Sequence, residues 1–243
     1  MKVLVFKNAE QVGQATATLI ASQILSKPDC VLGLATGSSP IPAYQNLVKM
    51  YEAGVLDFSK VVSYNLDEYV GLDGTHDQSY RYFMNENLFN HVNIDKANTH
   101  VPSGVVEDVE GFAKSYDEAI VAAGGIDLQL LGIGNNGHIG FNEPGDEFIY
   151  GCHKVDLTES TIKANTRFFA CEADVPRSAV TLGVGSIMNA KQVLLIATGA
   201  AKAEAVRASV EGDISPKCQA SILRTHPNVI FLLDEAAASL LSK

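Results

Sequence analysis

The sequence has no tryptophan, and only four of its 243 residues are cysteine. The cysteines are scattered and form no Cys-x-x-Cys pair, so zinc-ribbon and thioredoxin-type sites are not expected, whereas a reducing compartment is. No apolar run reaches the length of about 18 residues that a membrane span requires. The first apolar stretch, residues 3–6, is too short for the core of a signal peptide. We therefore expect a cytoplasmic protein without membrane segments.

Basic residues are also few, with 18 Lys and Arg against 28 Asp and Glu and a formal net charge of −10. Such a surface repels the nucleic-acid backbone and anionic membranes, so neither is an expected partner. An anionic ligand must instead be held by a few well-placed groups. The hydrophobic fraction of 47% is that of a globular protein. We predict a single domain over residues 1–243, large enough to fold without disulfides or a metal.

Short β-branched runs alternate with segments of helical period along the chain. Strands are predicted at residues 3–6, 31–35, 61–66, 128–133, 193–197 and 229–233. Helices are predicted at residues 9–26, 40–52, 78–89, 109–123, 177–188 and 200–210, with a further helix beginning at Ser215-Pro216. This alternation favours a parallel sheet with helices on both faces. Residues 145–173 lack clear periodicity and are predicted to form a lid or binding loop.

Ligands of open α/β sheets bind beyond the carboxyl ends of the strands, and four strands here end in unusual polar segments. The first is Thr-Gly-Ser-Ser-Pro at 36–40, whose small residues would let backbone N–H groups and a helix N-terminus approach a phosphate. An ordinary turn with a serine cap is the alternative, because the glycine spacings of known phosphate loops are absent. The second is Asp67-Glu68, which could supply a general base, a metal ligand or a helix cap.

The third polar segment, residues 132–145, contains five glycines, three asparagines, His138 and Glu143. Such a composition adds little to a core, so a functional loop is favoured over a structural histidine. The carboxylate of Glu143 could meet the imidazole of His138 and orient it.

Two basic residues complete the set of candidates. Lys202 lies in the first turn of a predicted helix, where a cation opposes the helix dipole unless an anion is bound there or the side chain extends into solvent. Arg167, followed by two phenylalanines, is either a phosphate clamp or a surface residue. No redox-cofactor fingerprint, metal-ligand spacing or Gly-x-Ser-x-Gly elbow occurs. The residues themselves thus indicate a phosphorylated small molecule and proton transfer.

At these positions the sequence resembles the glucosamine-6-phosphate deaminase family. The matching segments span nearly the whole chain in the family's order and lie at 34–40, 65–72, 132–145, 167–169, 182–186 and 199–202. Asn-Leu-Asp-Glu-Tyr at 65–69 and Gly-His-Ile-Gly-Phe-Asn-Glu-Pro at 137–144 are the most specific of them. The resemblance implies a Rossmann-like three-layer α/β sandwich with a mostly parallel central sheet.

The same resemblance implies conversion of glucosamine 6-phosphate and water to fructose 6-phosphate and ammonia, without a metal or organic cofactor, in amino-sugar catabolism. His138 would assist opening of the sugar ring, with Glu143 and Asn136 orienting it, and Asp67 would carry a proton from C2 to C1. The residues implied to hold the substrate and its phosphate are Gly37, Ser38, Ser39, Gly137, Arg167 and Lys202.

The sequence departs from the family pattern at two places. Many members have Asp where this chain has Asn136, so Glu143 would be the main carboxylate partner of His138. His153 and Val155 stand where hexameric members activated by N-acetylglucosamine 6-phosphate carry two basic residues. We therefore expect a monomer or small homo-oligomer without that activation. A 6-phosphogluconolactonase and a non-catalytic sugar-phosphate sensor are the rival hypotheses.

Overall fold

A computed structural model describes residues 1–242, apart from the side chains of Ala164 and Phe168. The match to the family at Phe168 therefore lies outside the described side chains, and the predicted domain end at Lys243 lies outside the described residues. The centre of the fold is a seven-stranded sheet in the order β1-β10-β9-β6-β2-β3-β5, and every neighbouring pair in it is parallel. Its strands are β1 (Lys2–Phe6), β2 (Val31–Leu34), β3 (Val62–Asn65), β5 (Thr99–His100), β6 (Leu128–Leu131), β9 (Val193–Ala197) and β10 (Val229–Asp234).

Within residues 1–242 the chain forms seven α-helices. They are α1 (Ala9–Ser26), α2 (Ile41–Glu52), α3 (Tyr80–Met84), α4 (Val109–Ala122), α5 (Glu159–Asn165), α6 (Val184–Met188) and α7 (Ala203–Glu211). A π-helical turn extends α3 through Asn85–Phe89, and short 3₁₀ helices occupy Lys96–Asn98, Thr166–Phe168, Glu172–Asp174, Ala200–Lys202 and Gln219–Thr225. The predicted α/β architecture with a mostly parallel central sheet is confirmed.

The apolar runs of the central strands form the core because both faces of the sheet are covered. Every residue of β2, β6, β9 and β10 is buried. Strands covered on both faces have near-continuous apolar sequences rather than alternating ones, which is why these runs were recognisable without any knowledge of the fold. Because the strands are parallel, their carboxyl ends meet at one edge of the sheet, where the polar segments follow.

A second, three-stranded antiparallel sheet lies beside the first in the order β4-β8-β7. Its strands are β4 (Asp67–Tyr69), β7 (His153–Asp156) and β8 (Ser178–Thr181). β4 begins two residues after β3 ends, so the chain passes directly from the central sheet into the small one at Asp67. This passage determines the position of the first catalytic candidate.

Two predicted helices differ in the structure. The predicted helix over 177–188 is wrong, because Ser178–Thr181 pairs with β4 and β7 as a strand and only Val184–Met188 is helical. Pairing with these distant strands decides the local structure there. The helix predicted to begin at Ser215-Pro216 is also wrong, since the chain there forms a tight bridge and only Gln219–Thr225 is helical, as a 3₁₀ helix. The segment 145–173, predicted to form a lid or binding loop, contains β7 and α5.

Candidate active site

Residues that directly follow β2, β3, β6 and β9 line a cavity of about 710 Å³, and α3, α5 and the residues after α5 complete its wall. Eight of the ten predicted site residues line it: Gly37, Ser38, Ser39, Asp67, Asn136, His138, Arg167 and Lys202. Glu143 and Gly137 do not line it. The structure thus brings together candidates that are up to 165 positions apart in the sequence, from Gly37 to Lys202.

Asp67 faces the cavity from the first position of β4, with only 6% of its surface exposed. Among the described residues, none donates a hydrogen bond to its carboxyl group. Burial and, to a lesser degree, the charge of Glu68 raise the pKa of Asp67 to about 8. A carboxyl group in this condition can both accept and release a proton near neutral pH.

Glu68 is equally buried but lies in different surroundings, because successive side chains of a strand point to opposite faces. Its carboxylate accepts hydrogen bonds from the backbone N–H groups of Tyr69, Tyr80 and Arg81, at 3.0, 3.0 and 3.1 Å. Burial raises the pKa of Glu68 to about 7 against the opposing effect of these donors. Glu68 therefore accepts two of the first N–H groups of α3, next to the Ser79 cap, whereas Asp67 is the one that faces the cavity.

His138 and Glu143 meet behind the cavity wall, as their spacing predicted. Nδ1 of His138 lies 3.5 Å from Oε2 of Glu143, the distance of an ion pair rather than of a short hydrogen bond. Glu143 also accepts hydrogen bonds from Nδ2 of Asn136 at 2.8 Å and from the hydroxyl of Thr161. Burial by itself would raise the pKa of Glu143, but His138, Thr161 and Asn136 together lower it to about 2. The carboxylate is therefore ionised across the physiological range.

Asn136 orients the pair indirectly rather than by a bond to the imidazole. Its Oδ1 accepts the backbone N–H of His138 at 3.2 Å, while its amide donates to Glu143. Two glycines make this loop possible. A Cβ at Gly134 would lie 2.4 Å from the imidazole ring. Gly137 has a φ of +86°, and Sγ of Cys218 occupies the space that a Cβ of this residue would need. Gly137 thus has a packing and conformational role and does not line the cavity.

The basic end of the cavity combines a turn of small residues with two cations. Gly37, with a φ of +92°, Ser38 and Ser39 form the turn after β2 and line the cavity. Burial and then the nearby charge of Arg167 lower the pKa of Lys202. Lys202 and Arg167 are therefore near enough to repel each other in a partly buried place, and an anion bound between them would be favoured.

Three residues that support the site were not recognisable in the sequence. Thr161 donates to Glu143 from α5, and Nε2 of Gln219 donates to the carbonyl groups of Glu143, Glu147 and Pro216. Asp234, at the end of β10, accepts the N–H of Gly199 with both carboxylate oxygens and so holds the turn before Lys202. The Thr-Glu-Ser-Thr run at 158–161 signals a helix cap, but nothing in it points to Glu143.

Among residues 1–242, no group of three or more His, Cys, Asp and Glu side chains is arranged to hold a metal ion. The helices within the same range are all too short or too polar to cross a membrane.

The geometry can be compared with known proteins. A model of the family described as glucosamine-6-phosphate isomerases/6-phosphogluconolactonase matches residues 7–231. The chain belongs to this family. Family members include a glucosamine-6-phosphate deaminase of Clostridium perfringens (strain 13 / Type A), 56% identical over 241 residues, which cover 99% of this chain and 100% of the relative. A glucosamine-6-phosphate deaminase of Clostridioides difficile (strain 630) is 53% identical over 242 residues, with coverage of 100% and 97%. The predicted resemblance is confirmed.

Solved structures of the isomerase/lactonase family agree with the fold. A monomeric glucosamine-6-phosphate deaminase has a TM-score of 0.97 and 42% identity, with 99% of this chain and 100% of that chain covered. A 6-phosphogluconolactonase from Trypanosoma cruzi has a TM-score of 0.79 with 17% identity, and 100% and 97% of the two chains are covered. At that identity the second likeness concerns the fold only.

Proposed function

We propose that the protein is a glucosamine-6-phosphate deaminase, which converts glucosamine 6-phosphate and water to fructose 6-phosphate and ammonia. One observation carries the proposal beyond the family: a buried carboxyl group, a histidine backed by a carboxylate, and two cations all belong to one cavity. An aldose–ketose conversion of a sugar phosphate needs an acid at the ring oxygen, a base at C2 and an anchor for the phosphate. These are the three groups present.

The first step is opening of the sugar ring, assigned to His138. Its imidazole donates a proton to the ring oxygen and then accepts the proton of the C1 hydroxyl, so that the C1–O5 bond breaks and an aldehyde forms. The ionised Glu143 lies beside Nδ1 and orients the imidazole, and Asn136 keeps that carboxylate in place.

The second step is proton transfer between neighbouring carbons, assigned to Asp67. Its carboxylate removes the C2 proton, the electron pair forms the C1–C2 double bond of a cis-enolamine, and the C1 oxygen takes up a proton from the ammonium group of the substrate. Asp67 then returns the proton that it removed to C1, and C2 becomes the carbon of a protonated imine. Water adds to that carbon, and the C2–N bond breaks to release ammonia and leave the ketone. One group must reach both carbons from one side, which suits a single carboxylate on the cavity wall.

The raised pKa of Asp67 fits this role. Near neutral pH the group is mostly protonated in the empty cavity, because burial disfavours its charge. An ammonium group of the substrate brought within about 4–6 Å would favour the ionised form. The base is thus generated when the substrate arrives.

The phosphate is assigned to the basic end of the cavity. Lys202 and Arg167 would supply positive charge, and the N–H of Gly37 and the hydroxyls of Ser38 and Ser39 would supply hydrogen bonds. The sugar carbons would thereby be held in register with Asp67.

We further propose that the enzyme is a cytoplasmic monomer, without nucleic-acid or membrane partners and without activation by N-acetylglucosamine 6-phosphate. The monomeric relative supports this assignment, as do His153 and Val155, which stand in place of two Lys or Arg residues.

The deciding experiment measures ammonia and fructose 6-phosphate released from glucosamine 6-phosphate in the presence of EDTA. Equal amounts of both products are expected. Folded protein that releases no ammonia would overturn the proposal, and hydrolysis of 6-phosphogluconolactone would then test the lactonase hypothesis. Binding of fructose 6-phosphate without turnover of either substrate would identify a sensor.

A further inference from the structure

The carboxylate of Glu143 has donors from two different parts of the molecule. On Oε2 it faces Asn136 and His138, which belong to the same loop after β6. On Oε1 it accepts the hydroxyl of Thr161, which is 18 positions further along and belongs to α5. The side chain of Glu143 is only 7% exposed. If the Thr161 hydroxyl were absent, water could therefore not easily replace it as the hydrogen-bond donor to Oε1.

Thr161 is held in place by the way in which α5 begins. Thr158 caps the helix, and its hydroxyl oxygen accepts the backbone N–H of Thr161 at 3.3 Å and lies 3.2 Å from the Thr161 hydroxyl. The cap thus directs the side chain of Thr161 within the first turn of α5. The short helix α5 thus places the hydroxyl of Thr161 beside Oε1 of Glu143.

α5 itself rests on a small apolar cluster that is separate from the main core. Ile162 is its buried anchor, packed with Tyr69, Phe141 and other residues of that cluster. At its far end Nδ2 of Asn165 donates to the hydroxyl of Tyr69 at 2.9 Å. Few contacts therefore hold α5 against the cavity, and the bond from Thr161 to Glu143 is one of them.

We propose that Thr161 is a positioning residue for the Glu143–His138 pair, and that the pair is complete only when α5 is docked. The proposal rests on the proposed function, because it assigns Thr161 to the ring-opening acid. With its hydroxyl in place, Glu143 is held ionised and turned toward His138. Without it, Oε1 is unpaired, the ionised form of Glu143 is less favoured, and the carboxylate can turn away from the imidazole.

The test compares Thr161→Val, which keeps the shape and removes the donor, with Thr161→Ser, which keeps the donor. Thr161→Val should lower kcat for glucosamine 6-phosphate at least about tenfold, the usual effect of losing a hydrogen bond to a charged group, with KM changed less than about threefold. Thr161→Ser should remain within about threefold of the wild type. Thr166→Val is the matched control, because the hydroxyl of Thr166 donates to the Ile162 carbonyl of α5 and Thr166 does not line the cavity.

Titration of Glu143 separates positioning from a merely structural role. The pKa of Glu143 is about 2 in the wild type, so its protonation lies well below the acid limb of kcat and is followed by the 13C NMR signal of its carboxyl group. Thr161→Val should raise this pKa, because Glu143 loses a bond that favours its ionised form. Thr161→Ser and Thr166→Val should leave it in place. An unmoved pKa of Glu143 together with a lower kcat, or an equal loss of kcat in Thr166→Val, would overturn the proposal. If Thr161→Val melts too early to assay, Thr161→Ala is measured in the same way. A wild type without ammonia release would instead contradict the proposed function.

Discussion

Asp67 and Glu68 are adjacent in the sequence, yet their carboxyl groups lie in different surroundings. Glu68 accepts three backbone N–H groups, two of them at the start of α3, whereas no described residue donates a hydrogen bond to Asp67, which faces the cavity. The alternation of side chains along β4 produces this division. Glu68 is thereby engaged in structural hydrogen bonds, whereas Asp67 is available for proton transfer. The charge of Glu68 also helps to keep Asp67 protonated.

The variant Asp67→Asn should be inactive but more stable at alkaline pH. The pKa of Asp67 in the folded protein is about 8 against an ordinary value of 3.8. Between about pH 4 and pH 8 the folded state therefore binds more protons than the unfolded state, and stability falls as pH rises through this window. Asparagine cannot ionise, so the variant avoids that loss. Its melting temperature should exceed that of the wild type by about 2–8 °C at pH 8.

At pH 4 the two proteins should melt at nearly the same temperature, which makes the acid measurement an internal control. A variant that is less stable than the wild type at pH 8 would show that Asp67 is ionised and stabilised in the folded state. Ammonia release by the variant would remove Asp67 from the proton transfer.

Asn136→Asp should retain substantial activity with a shifted pH profile. The change removes the amide that donates to Glu143 at 2.8 Å and places a second carboxyl group beside it. Two neighbouring carboxylates disfavour each other's ionisation, so the acid limb of the kcat profile should move to higher pH. The measurement is kcat between pH 5 and pH 9. Complete inactivity across that range would contradict an orienting role.

Lys202→Met should weaken binding of the phosphorylated substrate. A charge-assisted hydrogen bond contributes about 1.5–3 kcal/mol, so KM for glucosamine 6-phosphate should rise about 10–100-fold. The slow reaction of glucosamine, which has no phosphate, should not change. Lys217→Met is the matched control, since Lys217 pairs with Asp146 on the exposed surface outside the cavity. An unchanged KM in Lys202→Met would place the phosphate elsewhere.

Bound fructose 6-phosphate should slow hydrogen exchange across residues 145–173, the predicted lid. The segment supplies Ser160, Thr161, Asn165, Arg167 and Phe169 to the cavity wall, while α5 rests on the smaller apolar cluster. A ligand that contacts these side chains should hold α5 more firmly. Exchange in β9 and β10, in the main core, serves as the reference. Equal exchange in the free and bound protein would indicate a segment that is already rigid.

The sequence by itself determined the class of fold and most of the cavity. Buried parallel strands have near-continuous apolar runs, and the polar residues that follow them collect at one edge of the sheet. For this reason Gly37, Asp67, His138 and Lys202 could be predicted together although they are far apart in the chain. The contact of His138 with Glu143 followed from their closeness in one glycine-rich loop.

The tertiary structure alone decided the second set of relationships. Ser178–Thr181 has no local feature that excludes a helix, and it becomes a strand because β4 and β7 supply hydrogen bonds on both sides. Gly137 lies in the predicted loop but packs against Cys218, and Glu143 finds its third donor on α5. Such pairings depend on which distant segments the packed core brings together. Local propensity does not predict these pairings, because they stabilise the protein only when both partners are in place.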